Sequence, residues 1–157
     1  MLDASPATVN RDLSRLCHVF AGKVEAALVK AKAAGYAVAI FEGYRSPARQ
    51  DFLYAQGRNG TGKLVTNARA WESAHQAGLA VDIAGYKDGH WSWDFDAHKV
   101  ACFFIEEGLE TLAPFEVCHF QMTAGLGGRL VAATARDYGL NAAWREVQAK
   151  EEGQKIW

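Results

Sequence analysis

Net charge is what this sequence has least of: 17 Lys and Arg stand against 18 Asp and Glu, a formal charge of −1 over 157 residues. A protein that lives on nucleic acid through bulk electrostatics carries a basic excess, so no nucleic-acid partner is expected. Long apolar runs are missing as well. The longest, near Phe41 and Phe104, fall far short of the ~18 residues a membrane-spanning helix needs, so no stable membrane insertion is expected. The start, Met1-Leu2-Asp3-Ala4-Ser5-Pro6, carries an acid where a secretory leader carries basic residues, and no apolar core follows. That leads to the expectation of a chain made and folded in the cytoplasm. Cysteine is scarce and odd in number: Cys17, Cys102 and Cys118 form no CxxC or zinc-knuckle spacing and read as buried, reduced thiols. Repeats and low-complexity linkers are lacking. What remains is an ordinary globular composition, half hydrophobic and 22% charged, in a length that fits one monomeric domain able to bury a core without disulfides.

Periodicity divides the chain into interleaved helices and short strands. Leu13, Leu16, Phe20, Val24, Ala27, Leu28 and Ala31 recur at helical spacing and predict an amphipathic helix over 9–34, ended by Gly35. Residues 36–44 are apolar and rich in β-formers, a strand. Ser46-Pro47 opens a second helix that stops at Gly57. Residues 57–70 hold three glycines and little periodicity, a loop long enough to be functional or mobile. A strand over 79–83 places Leu79, Val81 and Ile83 on one face and Ala80 and Asp82 on the other. A turn at 87–90, a helix over 96–107, a strand over 114–122 and a helical stretch over 129–152 complete the pattern. Without clean βαβ alternation the fold class is α+β, a small antiparallel sheet flanked by helices.

Chemistry concentrates in two short segments. Asp82 projects from an otherwise small and apolar strand, and an unpaired buried carboxylate is costly. It needs a salt bridge or hydrogen bond to a neighbouring loop, or a cation. His75 lies seven residues before it, across the turn Gln76-Ala77-Gly78, and an imidazole converging with a carboxylate suits zinc. Glu116-Val117-Cys118-His119 supplies a third ligand in His119 and a proton acceptor in Glu116, the division of labour found in HExxH metallopeptidases. On a regular strand an offset of three puts Glu116 and His119 on opposite faces, so Glu116 must lie before the strand proper or in a bend, for which Pro114 gives cause. Cys118 is a conceivable soft ligand, but parity assigns it to the core. His18, His90 and His98 read as surface or packing residues. Arg45 either pairs with a surface acid or holds a carbonyl oxygen as negative charge develops on it. Ser73 either caps a turn or hydrogen-bonds a substrate.

Three segments in order resemble the VanX/VanY-type zinc peptidases that cut peptidoglycan peptides. They are Gly43-Tyr44-Arg45-Ser46 with Gln50, Leu53-Tyr54 and Gln56-Gly57-Arg58; Ser73-Ala74-His75-Gln76-Ala77-Gly78-Leu79-Ala80-Val81-Asp82, an SxHxxGxAxD pattern; and Glu116-Val117-Cys118-His119-Phe120, an ExxH element. The resemblance implies one Zn2+ at the sheet, held by His75, Asp82 and His119. It implies Glu116 as catalytic base, Arg45 as a catalytic, carbonyl-binding residue, and Ser73 in the substrate-binding region. Tyr54-Ala55-Gln56-Gly57-Arg58 and the loop over 63–67 look most like the phage lysis branch, the L-alanyl-D-glutamate endopeptidases. The partner implied is the peptidoglycan stem peptide, and the setting implied is a cytoplasmic endolysin that reaches the wall after holin-type release. On this reading residues 1–157 form one catalytic domain, with its motifs in 43–120 and a helical stretch over 121–157. D-alanyl-D-alanine carboxypeptidase or dipeptidase activity of the same fold, and a non-catalytic zinc-containing wall-binding module, stand as alternatives. The 57–70 loop is expected to wall the peptide groove, with Trp71, Trp91 or Trp93 offering apolar contact or belonging to the core.

Overall fold

A computed structural model describes residues 5–154; Met1–Ala4, where the leader reading begins, and the last three residues lie outside it. The chain is α+β, as its periodicity implies. In order it forms α1 (His18–Ala33), β1 (Val38–Glu42), α2 (Pro47–Ala55), β2 (Ala80–Lys87), β3 (His90–Ser92), α3 (Ala97–Glu106), β4 (Glu110–Leu112), β5 (Glu116–Gln121), α4 (Gly128–Tyr138) and α5 (Leu140–Gln154). Two 3-10 turns, Leu13–Arg15 and Ala74–Ala77, join them. The sheet runs β1-β2-β5-β4 with β3 on the far part of β2, and every pairing is antiparallel.

Local chemistry accounts for the element ends. Ser46 accepts from the Arg49 amide at the start of α2, and Asp96 from the Lys99 amide at the start of α3, each satisfying a donor the helix cannot. The helix expected over 9–34 begins only at His18, because Asp12 caps a 3-10 turn instead and the Cys17 amide bonds the Gly78 carbonyl, 3.0 Å away. The single helical stretch expected over 129–152 is two helices, broken at Gly139 with φ 91°. The expected strand over 114–122 is β5 alone, and β4 went unread: three residues carry too little alternation to register.

One face of the sheet makes the core. Val81, Ile83 and Phe120 are sealed against α1 and α3, with Phe120 stacked on Phe104 at 4.1 Å between ring centroids. Val131 and Ala135 of α4 and Ala143 and Val147 of α5 belong to the same buried cluster. These C-terminal helices brace the turn at Ala74–Ala77 from outside: the Trp144 indole donates to the Ala77 carbonyl at 2.7 Å. Of the cysteines, Cys17 is buried as expected, whereas Cys102 is exposed and Cys118 half-buried.

Gly78 ends that turn in the left-handed conformation, φ 65°, and a Cβ there would meet the Arg15 carbonyl oxygen at 2.5 Å. Gly78→Ala is therefore expected to cost at least about 2 kcal/mol of unfolding free energy. Gly22, exposed in the interior of α1 with open space around its Cα, gives the opposite sign: Gly22→Ala should add about 0.5–1 kcal/mol. Urea unfolding of the two variants checks both.

Candidate functional site

Three backbone devices bring the polar residues to the sheet face opposite the core. Asp82 on β2 and His119 on β5 are direct cross-strand partners, and directly opposed residues share a face. On β1 the register slips between Ile40 and Glu42, so that Ile40 faces Ile83 while Glu42 faces Asp82. That bulge turns Glu42 to the Asp82 side. His75 comes from the turn at Ala74–Ala77, held by a reciprocal cap: Ser73 Oγ accepts from the His75 amide at 3.3 Å, and the Gln76 side chain accepts from the Ser73 amide at 3.2 Å. Ser73 thus caps the turn, and it also lines the cavity described below.

His75, Asp82 and His119 each offer a ligand atom, all within 4.8 Å of one another. His75 Nδ1 lies 2.7 Å from the Gly43 carbonyl oxygen, which only accepts, so Nδ1 carries the proton. The lone pair on His75 Nε2 then points inward, at 1% side-chain exposure, with Asp82 Oδ1 3.4 Å away and no hydrogen bond made. A buried acceptor left without a donor is costly. Two imidazoles and one carboxylate are a donor set that suits zinc, and the unpartnered nitrogen is where a cation would sit. Burial, followed by Arg45, pushes His75 below the ordinary histidine range. Burial also opposes ionisation of Asp82, but the imidazoles and Arg45 more than offset it and hold the carboxyl well below the usual range. For His119 burial works downward, while hydrogen bonding to Asp82 and its charge outweigh it and push the ring up.

Arg45 does not pair with a surface acid. Its Nε donates to Glu42 Oε1 at 2.7 Å, its Nη1 to Gln50 Oε1 at 3.4 Å, and its Nη2 to Asp82 Oδ2. Glu42, 2% exposed, takes a second guanidinium on its other oxygen, Arg49 Nε at 2.5 Å. Gln50 passes the network on, donating to the Ala68 carbonyl and accepting from Gln76. Glu42, Arg49 and Gln76 went unread as site residues, since nothing in a lone acid or amide marks it as bulged or capped toward the site.

The bend that Glu116 needs is present. Thr111 faces Phe120 but Leu112 faces Glu116, so Val117, Cys118 and His119 are extra residues on the β5 side. Glu116 Oε2 accordingly lies on the His119 side, 3.7 Å from its Nδ1, at 45% side-chain exposure. The same irregularity defeats the parity argument for Cys118, which lines the cavity rather than the core, its thiol pushed up by burial and then by Asp82.

A cavity of about 480 Å3 opens over these residues. Arg45, Ser73, His75, Asp82, Glu116 and His119 form its floor, and Val65, Thr66 and Ala68 of the 57–70 loop form one wall. Trp93, Leu112 and Phe115 stand at its rim. Trp71 packs against the core instead, and Trp91 is clasped by Phe41, Tyr86 and Arg11. His18, His90 and His98 are exposed and apart from the site.

Residues 14–102, more than half of the chain, match the family model described as VanY, D-alanyl-D-alanine carboxypeptidase. The match includes Arg45, Ser73, His75 and Asp82 and stops short of Glu116 and His119. A 77-residue stretch is 49% identical to the peptidoglycan L-alanyl-D-glutamate endopeptidase CwlK of Bacillus subtilis (strain 168), covering 47% of this chain and 46% of that protein. The match thus spans about half the length of that curated relative. Two solved structures share the fold. An L,D-carboxypeptidase DacB from Streptococcus pneumonia has a TM-score of 0.54 at 23% identity, over 79% of this chain and 77% of that one. The LdcB LD-carboxypeptidase has a TM-score of 0.51 at 21% identity, over 92% and 73%.

Removing Glu42 would leave two buried guanidinium groups facing each other. Glu42→Ala is expected to lower unfolding stability by about 3–5 kcal/mol, the cost of breaking a buried ion pair from one side. Chemical denaturation checks the value; a loss below 1 kcal/mol would show the network to be well solvated.

Proposed function

The chain belongs to the VanY D-alanyl-D-alanine carboxypeptidase family, and from that premise we propose that it is a zinc-dependent peptidase of peptidoglycan stem peptides, cutting the L-alanyl-D-glutamate bond. The observation that carries the proposal is the buried, unpartnered Nε2 of His75, aimed at Asp82 with His119 beside it, on the floor of an open cavity. His75, Asp82 and His119 would hold one Zn2+. The choice of bond follows the CwlK relative, whose name specifies an L-alanyl-D-glutamate endopeptidase. The whole chain acts as one catalytic unit in this reading. Its service as a phage endolysin, released to the wall at lysis, is supported by the Tyr54-Ala55-Gln56-Gly57-Arg58 segment. Among the described residues no helix is long and apolar enough to cross a membrane.

Zinc bound there supplies a Lewis acid that makes water a nucleophile near neutral pH. Glu116, partly exposed beside His119, accepts the proton of the attacking water and returns it to the leaving amine. Arg45 keeps N–H donors beyond those given to Glu42, Gln50 and Asp82. It lines the cavity, so these can stabilise the carbonyl oxygen as it becomes negative. Ser73 Oγ accepts from the His75 amide and still has its own proton to give a substrate carbonyl. Val65, Trp93, Leu112 and Phe115 offer the apolar contact that holds the peptide.

The second reading, a D,D-carboxypeptidase at the same site, has the family model's description in its favour. Digestion of purified sacculi separates the two. A new D-glutamate amino terminus supports the endopeptidase, release of terminal D-alanine supports the carboxypeptidase, and no turnover with bound zinc supports a wall-binding module. Activity should vanish with a zinc chelator and return with added zinc.

Glu116→Ala is expected to keep zinc and lose at least about 100-fold in rate, whereas His119→Ala should lose both. Full activity in Glu116→Ala would remove Glu116 from the mechanism. Because the ring of His119 is pushed above the ordinary histidine value, protons compete with the metal early. Zinc affinity should be complete above that raised value and fall as pH drops through it, as competition titration across pH 5–8 with a chromophoric chelator will register.

A further inference from the structure

From His119 and Gln121, which both line the cavity, a chain of polar groups runs to the edge of the sheet. His119 Nε2 lies 2.8 Å from Gln121 Oε1, and Gln121 Nε2 donates to Glu110 Oε1 at 3.3 Å. Glu110 also takes the Thr123 amide at 3.0 Å, the Thr123 hydroxyl at 2.6 Å and the Gly125 amide at 3.3 Å. Glu110 and Gln121 are direct cross-strand partners on β4 and β5, and strand alternation sets Gln121 on the same face as His119. Glu110, Gln121, Thr123 and Gly125 lie outside the motifs read in the sequence.

We propose that Glu110 and Gln121 are positioning residues that fix the tautomer of His119, so that Nδ1 of this ring faces the metal while His75 presents its Nε2. The inference rests on the zinc reading above. The donor and acceptor chemistry runs inward from the sheet edge. A carboxylate that collects donors from Thr123, Gly125 and Gln121 acts as an acceptor throughout, so the amide NH2 of Gln121 must face it. The amide oxygen then faces His119. An amide oxygen only accepts, so Nε2 is the nitrogen that carries hydrogen, and the Nδ1 lone pair is left toward Asp82 and His75. Turning the Gln121 amide over would set its oxygen against the Glu110 carboxylate and its NH2 against the ring. At 6% exposure Gln121 has little water to relieve either contact.

The arrangement decides a competition. Asp82 Oδ1, 3.3 Å from His119 Nδ1, would draw the ring proton onto Nδ1 and close the metal-facing lone pair. Gln121, at 2.8 Å on the other nitrogen, makes the shorter hydrogen bond and draws the proton to Nε2. His75 solves the same problem with a backbone acceptor, the Gly43 carbonyl, which no substitution removes. For His119 the acceptor is a side chain, and Glu110 decides which way that side chain turns. Groups that orient metal-bound histidines in this way typically account for a 10–100-fold effect on metal affinity.

Long-range 1H–15N correlation of the metal-free protein, above the titration range of His119, reads the tautomer directly. The wild-type ring should carry hydrogen on Nε2. Gln121→Met, similar in length but without an acceptor, should shift the proton to Nδ1 and weaken zinc binding about 10–100-fold, with the circular dichroism of the metal-free protein unchanged. The exchange Glu110→Gln with Gln121→Glu, which keeps a donor against an acceptor between the two strands and an acceptor on the ring, should retain the Nε2–H form. A wild-type ring protonated on Nδ1 overturns the inference with no variant needed, and so does unchanged zinc affinity in a folded Gln121→Met protein. Wild-type protein that binds no zinc overturns the metal reading, and the inference with it.

Discussion

The carboxylate of Asp82 is where the constraints of this structure meet. It is one-fifth exposed, in contact with one guanidinium and two imidazoles, and a charge so placed is tolerable only if its partners are held in position. Much of the local irregularity in the fold serves that end. The β1 bulge brings Glu42 alongside, where it anchors Arg45 against Asp82. The slip between β4 and β5 keeps both Glu116 and His119 near the same point. The capped turn before β2, packed under α4 and α5, delivers His75 from a third direction. A regular sheet with these side chains could not place all of them around one carboxylate.

This explains which parts of the site were legible in the sequence. Ser73, His75, Gly78 and Asp82 lie in one short segment whose turn chemistry is local, so a cation shared by the histidine and the aspartate was one of the readings open for Asp82, and the SxHxxGxAxD pattern singled it out. The side-chain cap Ser46, at the start of α2, was equally plain. Glu42, Glu110 and Gln121 were invisible because their roles depend on register: on which residue faces which across two strands. A bulge shifts register by steps that no residue type announces. For the same reason strand parity gave the wrong side for Cys118, and correctly flagged that Glu116 required a bend. The break at Gly139 was missed because Leu140, Ala143, Trp144 and Val147 resume a helical spacing directly after it.

The two sides of the site are built differently. On the ligand side, among the described residues, every buried side-chain polar atom but His75 Nε2 has a partner, and the partners themselves are held: Glu42 by two arginines, Gln121 by Glu110, Gln50 and Gln76 by each other. On the outer side the rim is apolar and open, with Phe115 92% exposed and Trp93 57%. The loop over 57–70 belongs to the first class despite its glycines. Gln50 holds Ala68, Asp51 accepts from Ala70, and Arg58 bonds Thr66 and Asn67. A preorganised floor under an adaptable rim suits a site that must fix reacting atoms while admitting a peptide.

Charge along the buried network alternates: Asp82, Arg45, Glu42 and Arg49 are joined in sequence through the hydrogen bonds described above. Two carboxylates and two guanidiniums sum to zero, so the network brings no net charge to the cavity, while Arg45 still acts locally on His75 and Asp82. Arg45 is therefore already neutralised from behind by Glu42, and its hold on Asp82 Oδ2 leaves Oδ1 turned to the imidazoles. On the proposed reading a dication would enter a site whose only uncompensated charge, among the described residues, is Glu116. A bound dication would then leave one net positive charge, which would favour negative charge developing on a carbonyl oxygen. A chain with Arg45 but without Glu42 would carry one positive charge more and repel the metal. The pairing of Glu42 with Arg45 is thus what lets a guanidinium serve beside a cation.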